Sequence, residues 1–350
     1  MGRDIIRWGI IGCGDVCEVK SGPGFQQAAG SELVAVMRRE AALAEDFAKR
    51  HGVPRWYADA DELIADSEVD AVYVATPPGS HLELARRVAA AGKPCLVEKP
   101  MARSAGECEA MLEAFGKIPL FVAYYRRCLP RFQKVAELLA QIGPIRSVHY
   151  ELHKCPAGYS GGLPWRVRAE LSGGGLFLDV GCHVLDLIDH LCGPLSAVAG
   201  RAENRGGRYP EEDFVTMEWR HAAGGDGSAV FDFNAAAEKD LLQIEAEGGV
   251  VRFSVFEEAV IHLEADGKVE SLMVPHPPHV HQPLIQTVVD ELNGVGECPA
   301  TAAAGLRTAA VMDRVLADYY GGRTGEFWRD PAAWPGASGA LPKTGPTPKR

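Results

Sequence analysis

The stretch Arg7-Trp8-Gly9-Ile10-Ile11-Gly12-Cys13-Gly14-Asp15-Val16-Cys17 sets the reading of the fold. Residues 7–11 are a short apolar run of the kind that fills a buried strand. Two glycines then break it, and a helical stretch follows to about residue 29. A strand, a Gly-x-Gly turn and a helix in that order form a dinucleotide-binding turn. Gly12 makes the tight turn and Gly14 lets backbone approach a pyrophosphate, while the third position must be small for helix–strand packing. Cys17 stands at that third position, where Gly or Ala is usual, and a small thiol fits there. Asp15 and Val16 open the helix whose N-terminus would face the phosphates.

Working outward, residues 33–37 (Leu-Val-Ala-Val-Met) read as a second strand, followed by a helix over 41–51. Further strands fall at 70–75, 95–97 and 120–123, with helices at 82–91 and 105–115 between them. Strands alternating with helices imply βαβ units and a parallel sheet. The strands are uniformly apolar, as expected when helices cover both faces. The fold class is therefore α/β, with an N-terminal doubly wound Rossmann sheet.

The second part changes character. Strands are predicted at 145–154, 195–203, 213–221, 228–234, 241–247 and 250–253, and helices at 131–141, 176–191, 283–293 and 302–320. Runs of strands with few helices between them make a large, mostly antiparallel sheet in an α+β domain. The expected organisation is a nucleotide-binding domain over 1–124, a substrate-binding and oligomerisation domain over 125–330, and a loosely held tail over 331–350, rich in Pro, Gly, Ala and Lys.

The 350 residues suffice for two domains. With 47% hydrophobic and 24% charged residues, disorder and a small disulfide scaffold are excluded for the chain as a whole. A formal net charge of −11 argues against a general nucleic-acid or anionic-membrane partner. No apolar run approaches the roughly 18 residues of a membrane span. Gly12 and Gly14 cut the first apolar run too short for a signal sequence. Ile6 stands where a myristoylation signal beginning Met1-Gly2 would need Ser or Thr. Nine scattered cysteines without a CxxC pair fit free thiols in a reducing compartment, so a cytoplasmic location is expected.

The end of the second strand separates the two dinucleotides. NAD-preferring turns place an acid about 20 residues after the glycines, to bind the ribose 2′-hydroxyl. Here Arg38 and Arg39 occupy that place and Glu40 follows. Two guanidiniums welcome a 2′-phosphate through charge-assisted contacts, and one can stack on adenine. NADP is the expected cofactor, with NAD as the alternative.

Two further stretches carry a family resemblance. Residues 95–97 run into Glu98-Lys99-Pro100, and Gly173-Gly174-Gly175 leads to Asp179-Val180-Gly181-Cys182-His183. With the glycine turn, Trp165-Arg166 and Pro283-Leu284-Ile285, they make the chain similar to the Gfo/Idh/MocA (glucose–fructose oxidoreductase/inositol dehydrogenase) family over nearly its whole length. The resemblance implies that Lys99, at the carboxyl end of a parallel strand, handles the reacting oxygen during hydride transfer. It implies His183 as acid or base, with Asp179 orienting its ring or binding a sugar hydroxyl. In such proteins the Lys-Pro bond is often cis. Thr76 and Pro77 resemble the family turn that lies along the cofactor, and Glu98 is placed with them. His81 contacts the ribose or phosphates, or caps the next helix. Arg127, Trp165 and Arg166 are candidates for the substrate side, since Arg suits hydroxyl-rich or anionic ligands. Asp186 and His190 continue the stripe of Asp179 and read as a polar helix face.

His276, His279 and His281 lie among Pro275, Pro277, Pro278 and Pro283 without a fourth ligand at zinc-site spacing, so no metal is expected. Cys182, beside His183, points elsewhere on a helix and is not read as a nucleophile. The function so implied is hydride transfer between a nicotinamide cofactor and a sugar, cyclitol, sugar-derived ketone or dihydrodiol. The alternative is a non-catalytic NAD(P)-sensing regulator on the same scaffold, which has no need of Lys99, Asp179 and His183 together. Alternate apolar positions at Val215, Met217 and Trp219 and at Val230, Phe231 and Phe233 suggest an exposed apolar sheet face, and hence a homodimer or homotetramer through the second sheet.

Overall fold

The computed structural model describes residues 4–337 apart from 157, 160–161, 222–223 and 258–259. The chain forms two compact units. The first comprises residues 1–133 and 275–307, and the second residues 134–274 with those from 308 onward.

In the first unit β1 (Ile6–Ile11) leads through the glycine turn into a helix that opens at residue 15, passes through a π turn at Cys17–Ser21 and continues as α1 (Gly22–Gln27). The alternation then runs β2 (Ser31–Met37), α2 (Ala41–His51), β3 (Arg55–Tyr57), α3 (Ala60–Ala65), β4 (Ala71–Val74), α4 (His81–Ala90), β5 (Cys95–Val97), α5 (Ala105–Phe115) and β6 (Leu120–Val122). All pairings in this sheet are parallel, in the order β3-β2-β1-β4-β5-β6. The order reverses between β1 and β4, and in open α/β sheets ligands bind at the carboxyl ends beside such a switch point. The apolar residues of β1, β2, β4 and β5 are nearly all buried, Trp8, Ile10, Val36, Tyr73 and Leu96 completely, as a sheet covered on both faces requires.

The chain passes to the second unit within α6 (Pro130–Ile142). There follow β7 (Ile145–His153), α7 (Ala169–Ser172), a π turn at Phe177–Gly181, α8 (Cys182–Cys192), β8 (Leu195–Glu203), β9 (Phe214–His221), β10 (Asp226–Asp232), β11 (Lys239–Ala246), β12 (Gly249–Phe253), β13 (Val260–Ala265) and β14 (Lys268–Met273). These eight strands form one sheet, β14-β13-β12-β11-β7-β10-β9-β8, antiparallel except where β10 runs alongside β7. One face of this sheet is a core. Phe231 packs edge-on against Phe177 at 4.9 Å and near Tyr150 at 5.4 Å, and truncating such a buried Phe to Ala costs about 3–5 kcal/mol.

The expected exposed apolar face is not found. Val215, Met217, Trp219, Phe231 and Phe233 are each 3% exposed or less, because they point into this core, and Val230 is half-buried on the other side. That other side carries His149, Glu218, Arg220 and Ser228. Strand alternation separates the two faces correctly but does not tell which one other elements cover.

After β14 the chain returns to the first unit, a segment expected in the second domain. Val122 N donates to Ala300 O at 3.0 Å, and Phe121 forms an antiparallel bridge with Thr301. Here α9 (Gln282–Leu292) lies against α1, where a Cβ on Gly24 would meet Ile285 Cδ1 at 2.8 Å and Gln282 N at 3.3 Å. Then α10 (Ala302–Tyr320) carries the chain back to the second unit. The first part of the supposed loose tail is also held: Trp334 is 2% exposed and stands edge-on to Tyr320 at 4.6 Å. Residues 338–350 lie outside the described part. One helical run, Ala169–Cys192, is by length and composition apolar enough to cross a membrane, contrary to the sequence expectation. It is a core run, with 78% of its most apolar window buried inside the fold. All nine cysteines are free, and all but Cys155 are buried.

Candidate functional site

The glycine turn is built on backbone hydrogen bonds. Gly12 N and Cys13 N both donate to Met37 O, at 2.9 and 3.2 Å, and Cys17 N donates to Gly14 O at 2.8 Å. Gly12 has φ +92°, and a Cβ there would lie 2.7 Å from Thr76 Cγ2 and 3.1 Å from Ala75 C. Only glycine combines that φ with so close a neighbour. Cys17 is wholly buried at the packing position expected of it. The π turn after it needs a second glycine, since a Cβ on Gly22 would meet Cys17 O at 2.3 Å.

The turn fits a dinucleotide. Gly14 has open space where a side chain would stand, with Gly12 O at 4.0 Å as the nearest atom to an added Cβ. Asp15 is exposed and Val16 half-buried at the helix start. Thr76 and Pro77, beyond β4, border the same switch point, and Ser80 Oγ bonds Thr76 Oγ1 at 2.7 Å. Arg38 is half-buried and Arg39 exposed at the end of β2. Arg38 N donates to Tyr57 O at 3.2 Å. Neither guanidinium has a hydrogen bond or ion pair among the described residues, which leaves both available to an anion.

Beyond β5 the first unit assembles a buried polar group. Glu98 N continues the ladder to Val74 O at 2.9 Å. Its carboxylate accepts from Tyr73 OH through one oxygen and from Lys99 N at 3.0 Å through the other. Burial raises the Glu98 pKa, and the neighbouring Lys99 and these bonds oppose the rise. Lys99 itself is half-exposed, and the Lys99–Pro100 peptide is cis. Sequence reasoning did not single out Tyr73. Its signal was a hydroxyl-bearing residue inside an otherwise apolar strand, which looks like ordinary core.

His81 does neither of the two things expected of it. It is completely buried, and its ring nitrogens lie 2.7 Å from Thr76 O and 3.1 Å from Met101 O. It lies between the turn after β4 and the segment after Lys99, and burial lowers its pKa, so the neutral ring has one N–H to give to one of the two carbonyls. Arg127 is 5% exposed and donates to Pro299 O at 3.2 Å, a contact within the first unit. The three loop histidines diverge. His279 Nδ1 is 2.7 Å from Val19 O, while His276 packs by Phe132. Burial, helped by Arg131 and Arg126, lowers the His276 pKa to about 4. His281 is 1% exposed beside Tyr125, and its Nδ1 stands 3.8 Å from Glu98 Oε1. Among the described residues no group of three His, Cys, Asp or Glu is placed to hold a metal.

In the second unit the structure brings together Trp165, Arg166 and Asp179. Arg166 Nε donates to Asp179 Oδ2 at 3.0 Å, and its guanidinium lies 4.5 Å from the centre of the Trp165 ring. Asp179 sits in the π turn at Phe177–Gly181, where a Cβ on Gly181 would strike Phe177 Cδ2 at 2.6 Å. His183, in the first turn of α8, is 6% exposed with Phe256 edge-on at 6.1 Å. Asp186 is 1% exposed and His190 half-buried on the same helix.

The glycine triplet is held by an acidic run that sequence reasoning passed over, because three consecutive acids usually mark a solvated surface. Glu211, Glu212 and Asp213 are each 3% exposed or less. Glu211 accepts from Ala169 N at 2.7 Å, and Glu212 accepts from Gly175 N at 3.0 Å and from Tyr320 OH. A Cβ on Gly175 would meet Glu212 O at 2.1 Å. These contacts fix the segment that leads to Asp179.

The profile of an oxidoreductase family with an NAD-binding Rossmann fold matches residues 6–124, and that of the GFO/IDH/MocA C-terminal domain matches residues 132–252. An oxidoreductase of Formosa agariphila is 36% identical over 315 residues, which make up 88% of this chain and 97% of that protein. A trans-1,2-dihydrobenzene-1,2-diol dehydrogenase of Danio rerio is 31% identical over 192 residues, 52% of this chain and 55% of that enzyme. The solved structure of levoglucosan dehydrogenase with NADH and levoglucosan is similar in fold, with a TM-score of 0.80 at 22% identity over 89% of this chain and 96% of that one.

Proposed function

The chain belongs to the GFO/IDH/MocA family and is an NAD(P)-dependent dehydrogenase, and on that premise we propose that it prefers NADP and acts on a sugar, cyclitol, sugar-derived ketone or dihydrodiol. The observation that carries the reading is Lys99 at the carboxyl end of β5, in the sheet whose switch point the glycine turn borders. The substrate class is supported by the relatives named for dihydrodiol and levoglucosan. The cofactor preference is supported by the unpaired guanidiniums of Arg38 and Arg39, which suit a 2′-phosphate.

When bound, the dinucleotide supplies the hydride donor or acceptor, bordered by Gly12, Gly14, Asp15, Val16, Thr76 and Pro77. Lys99 hydrogen-bonds the reacting oxygen, giving a proton to it in the reducing direction and stabilising alkoxide character in the oxidising one. Glu98 fixes the Lys99 backbone through the bond from Lys99 N. From the second unit, His183 is assigned the second proton-handling role, and the Arg166–Asp179 pair the binding of hydroxyl groups. A mostly reduced NADP pool favours carbonyl reduction. Nine unbridged cysteines support a reducing, cytoplasmic compartment. A dimer or tetramer through the second sheet has to use the polar open face, and light scattering decides whether one forms.

The test is a screen of NADPH oxidation against ketoses, osones and related ketones, with NADP reduction against polyols and dihydrodiols. NADPH-dependent turnover of a member of that set is the expected result. Activity with NAD and an alcohol only would overturn the cofactor and direction. Dinucleotide binding without turnover of any member would point to the sensing protein instead.

A further inference from the structure

His281 belongs to the proline-rich segment that the reading of the site leaves unused, and its place in the fold is tightly determined. Two residues before it, His279 is bound to Val19 O at 2.7 Å, on the π turn that follows the glycines. One residue after it, Gln282 lies where α9 meets α1, an approach that only Gly24 permits. Gln282 N donates to His279 O and Ile285 N to His281 O, both at 2.9 Å, so the short bend between these anchors is rigid. The bend directs the imidazole inward, where it is 1% exposed against the Tyr125 ring, with centroids 4.6 Å apart. Its Nδ1 is buried, has no hydrogen-bond partner among the described residues, and stands 3.8 Å from Glu98 Oε1.

A buried polar nitrogen without a partner is costly and calls for an explanation. The adjacent carboxylate is short of donors. Glu98 receives Tyr73 OH on one oxygen and Lys99 N on the other, yet it is almost wholly removed from water. The groups facing His281 are Glu98, Lys99, Lys20, Arg126 and Tyr125. Burial together with the cations keeps the ring neutral, with a pKa lowered to about 3. A neutral ring carries one N–H, and Glu98 Oε1 is the acceptor facing Nδ1. The separation exceeds a hydrogen bond by less than an ångström, as is common where catalytic contacts tighten only when substrate binds.

We propose that His281 is a positioning residue for Lys99: its Nδ1–H closes on Glu98, keeps that carboxylate ionised, and so holds the Lys99 backbone in register for the reacting oxygen. This rests on Lys99 being the residue that meets that oxygen. It gives the proline-rich segment a part in the reaction, as the carrier of a second buried side-chain donor, after Tyr73, facing the Glu98 carboxylate.

Two substitutions separate positioning from packing. His281→Leu fills the space without a donor, and His281→Asn keeps an N–H near Nδ1. The expected result is a kcat about tenfold lower in His281→Leu with KM and NADPH affinity within about twofold, a shifted limb in its kcat–pH profile, and recovery to within about threefold in His281→Asn. Equal loss in both variants, or no loss in His281→Leu, would overturn the proposal. Nitrogen-15 NMR of histidine-labelled protein reads the same relationship without turnover. The expected Nδ1–H tautomer persists from pH 5 to 9 and its shift moves in Glu98→Gln, whereas an Nε2–H tautomer or a Glu98-independent shift overturns it. If no substrate is turned over by the wild type, the functional reading fails, and the NMR result still decides the His281–Glu98 contact.

Discussion

Gly12 and Thr76 face each other across the switch point of the parallel sheet, so closely that a methyl group on Gly12 would lie 2.7 Å from Thr76 Cγ2. The contact makes the turn a single surface: β1 and β4 end side by side, and Ala75 N is bonded to Ile11 O at 2.8 Å. Gly12→Ala adds the clash to a strained φ of +92°, and an L-residue at positive φ already costs about 1–2 kcal/mol. The expected outcome is loss of detectable dinucleotide binding and a lower Tm. Thr76→Ser removes the clashing methyl, so the double variant should regain part of the Tm while binding stays impaired. Calorimetry and a fluorescence titration of both variants check this. Full binding in Gly12→Ala would show that the turn yields more easily than its geometry implies.

Arg38 and Arg39 are tested by their effect on the ratio of affinities. A charge-assisted hydrogen bond contributes about 1.5–3 kcal/mol, so replacing both by Ala should weaken NADPH about 10- to 100-fold or more. NADH, which lacks the 2′-phosphate, should change by no more than about threefold. Energy transfer from tryptophan to the reduced nicotinamide reads both. Equal weakening would mean that the guanidiniums act on something common to the two cofactors, such as adenine.

The parts of the fold that were legible in the sequence are those specified by local pattern. The helices at Ala41–His51 and Ala105–Phe115 and the strand Cys95–Val97 are found to the residue, because their apolar patterns stand out locally. Arg55–Tyr57 was missed, being three residues long with Trp56 facing solvent at 40% exposure. The hairpin of Val260–Ala265 and Lys268–Met273 was missed although Ile261, Leu263 and Ala265 alternate with His262 and Glu264; it stands at the edge of the sheet, where of its residues only Ile261 is buried. The site divides in the same way. The glycine turn and Lys99 stand in local motifs, whereas Tyr73, His281 and the buried Glu211–Asp213 run owe their places to chain segments far away. His81 shows the converse error: a residue in a recognisable turn proved to be a buried ring packed between two backbone carbonyls.

Lys99→Met keeps the bulk of the side chain and removes its proton. With Glu98 still bonded to the backbone of residue 99, the loop should keep its shape and the dinucleotide affinity should stay within about twofold. Removing a general acid or base costs about 10²–10⁴-fold in rate, so kcat should fall by that factor. Single-turnover kinetics with a substrate from the screen measure it. Unchanged kcat would assign the proton to another group, His183 being the first to examine, and would leave the fold assignment intact.

Glu211 makes stability depend on pH in a direction opposite to that of a salt-bridged acid. Burial raises its pKa from the usual 4.5 to about 8, and one carboxyl oxygen, Oε2, is buried without a hydrogen-bond partner among the described residues. Below pH 4.5 both folded and unfolded chains hold the proton, so the group costs nothing. Between about 4.5 and 8 the unfolded chain has released the proton while the folded chain retains it, so stability falls as pH rises and levels off above 8. Glu211→Gln keeps an acceptor for Ala169 N, which is bonded at 2.7 Å, and cannot ionise. The variant should therefore gain on the wild type steadily from pH 5 to 8.5 in Tm, with the gap constant beyond. A gap independent of pH would show that Glu211 is already ionised in the folded protein, with water or a neighbouring group satisfying the second oxygen.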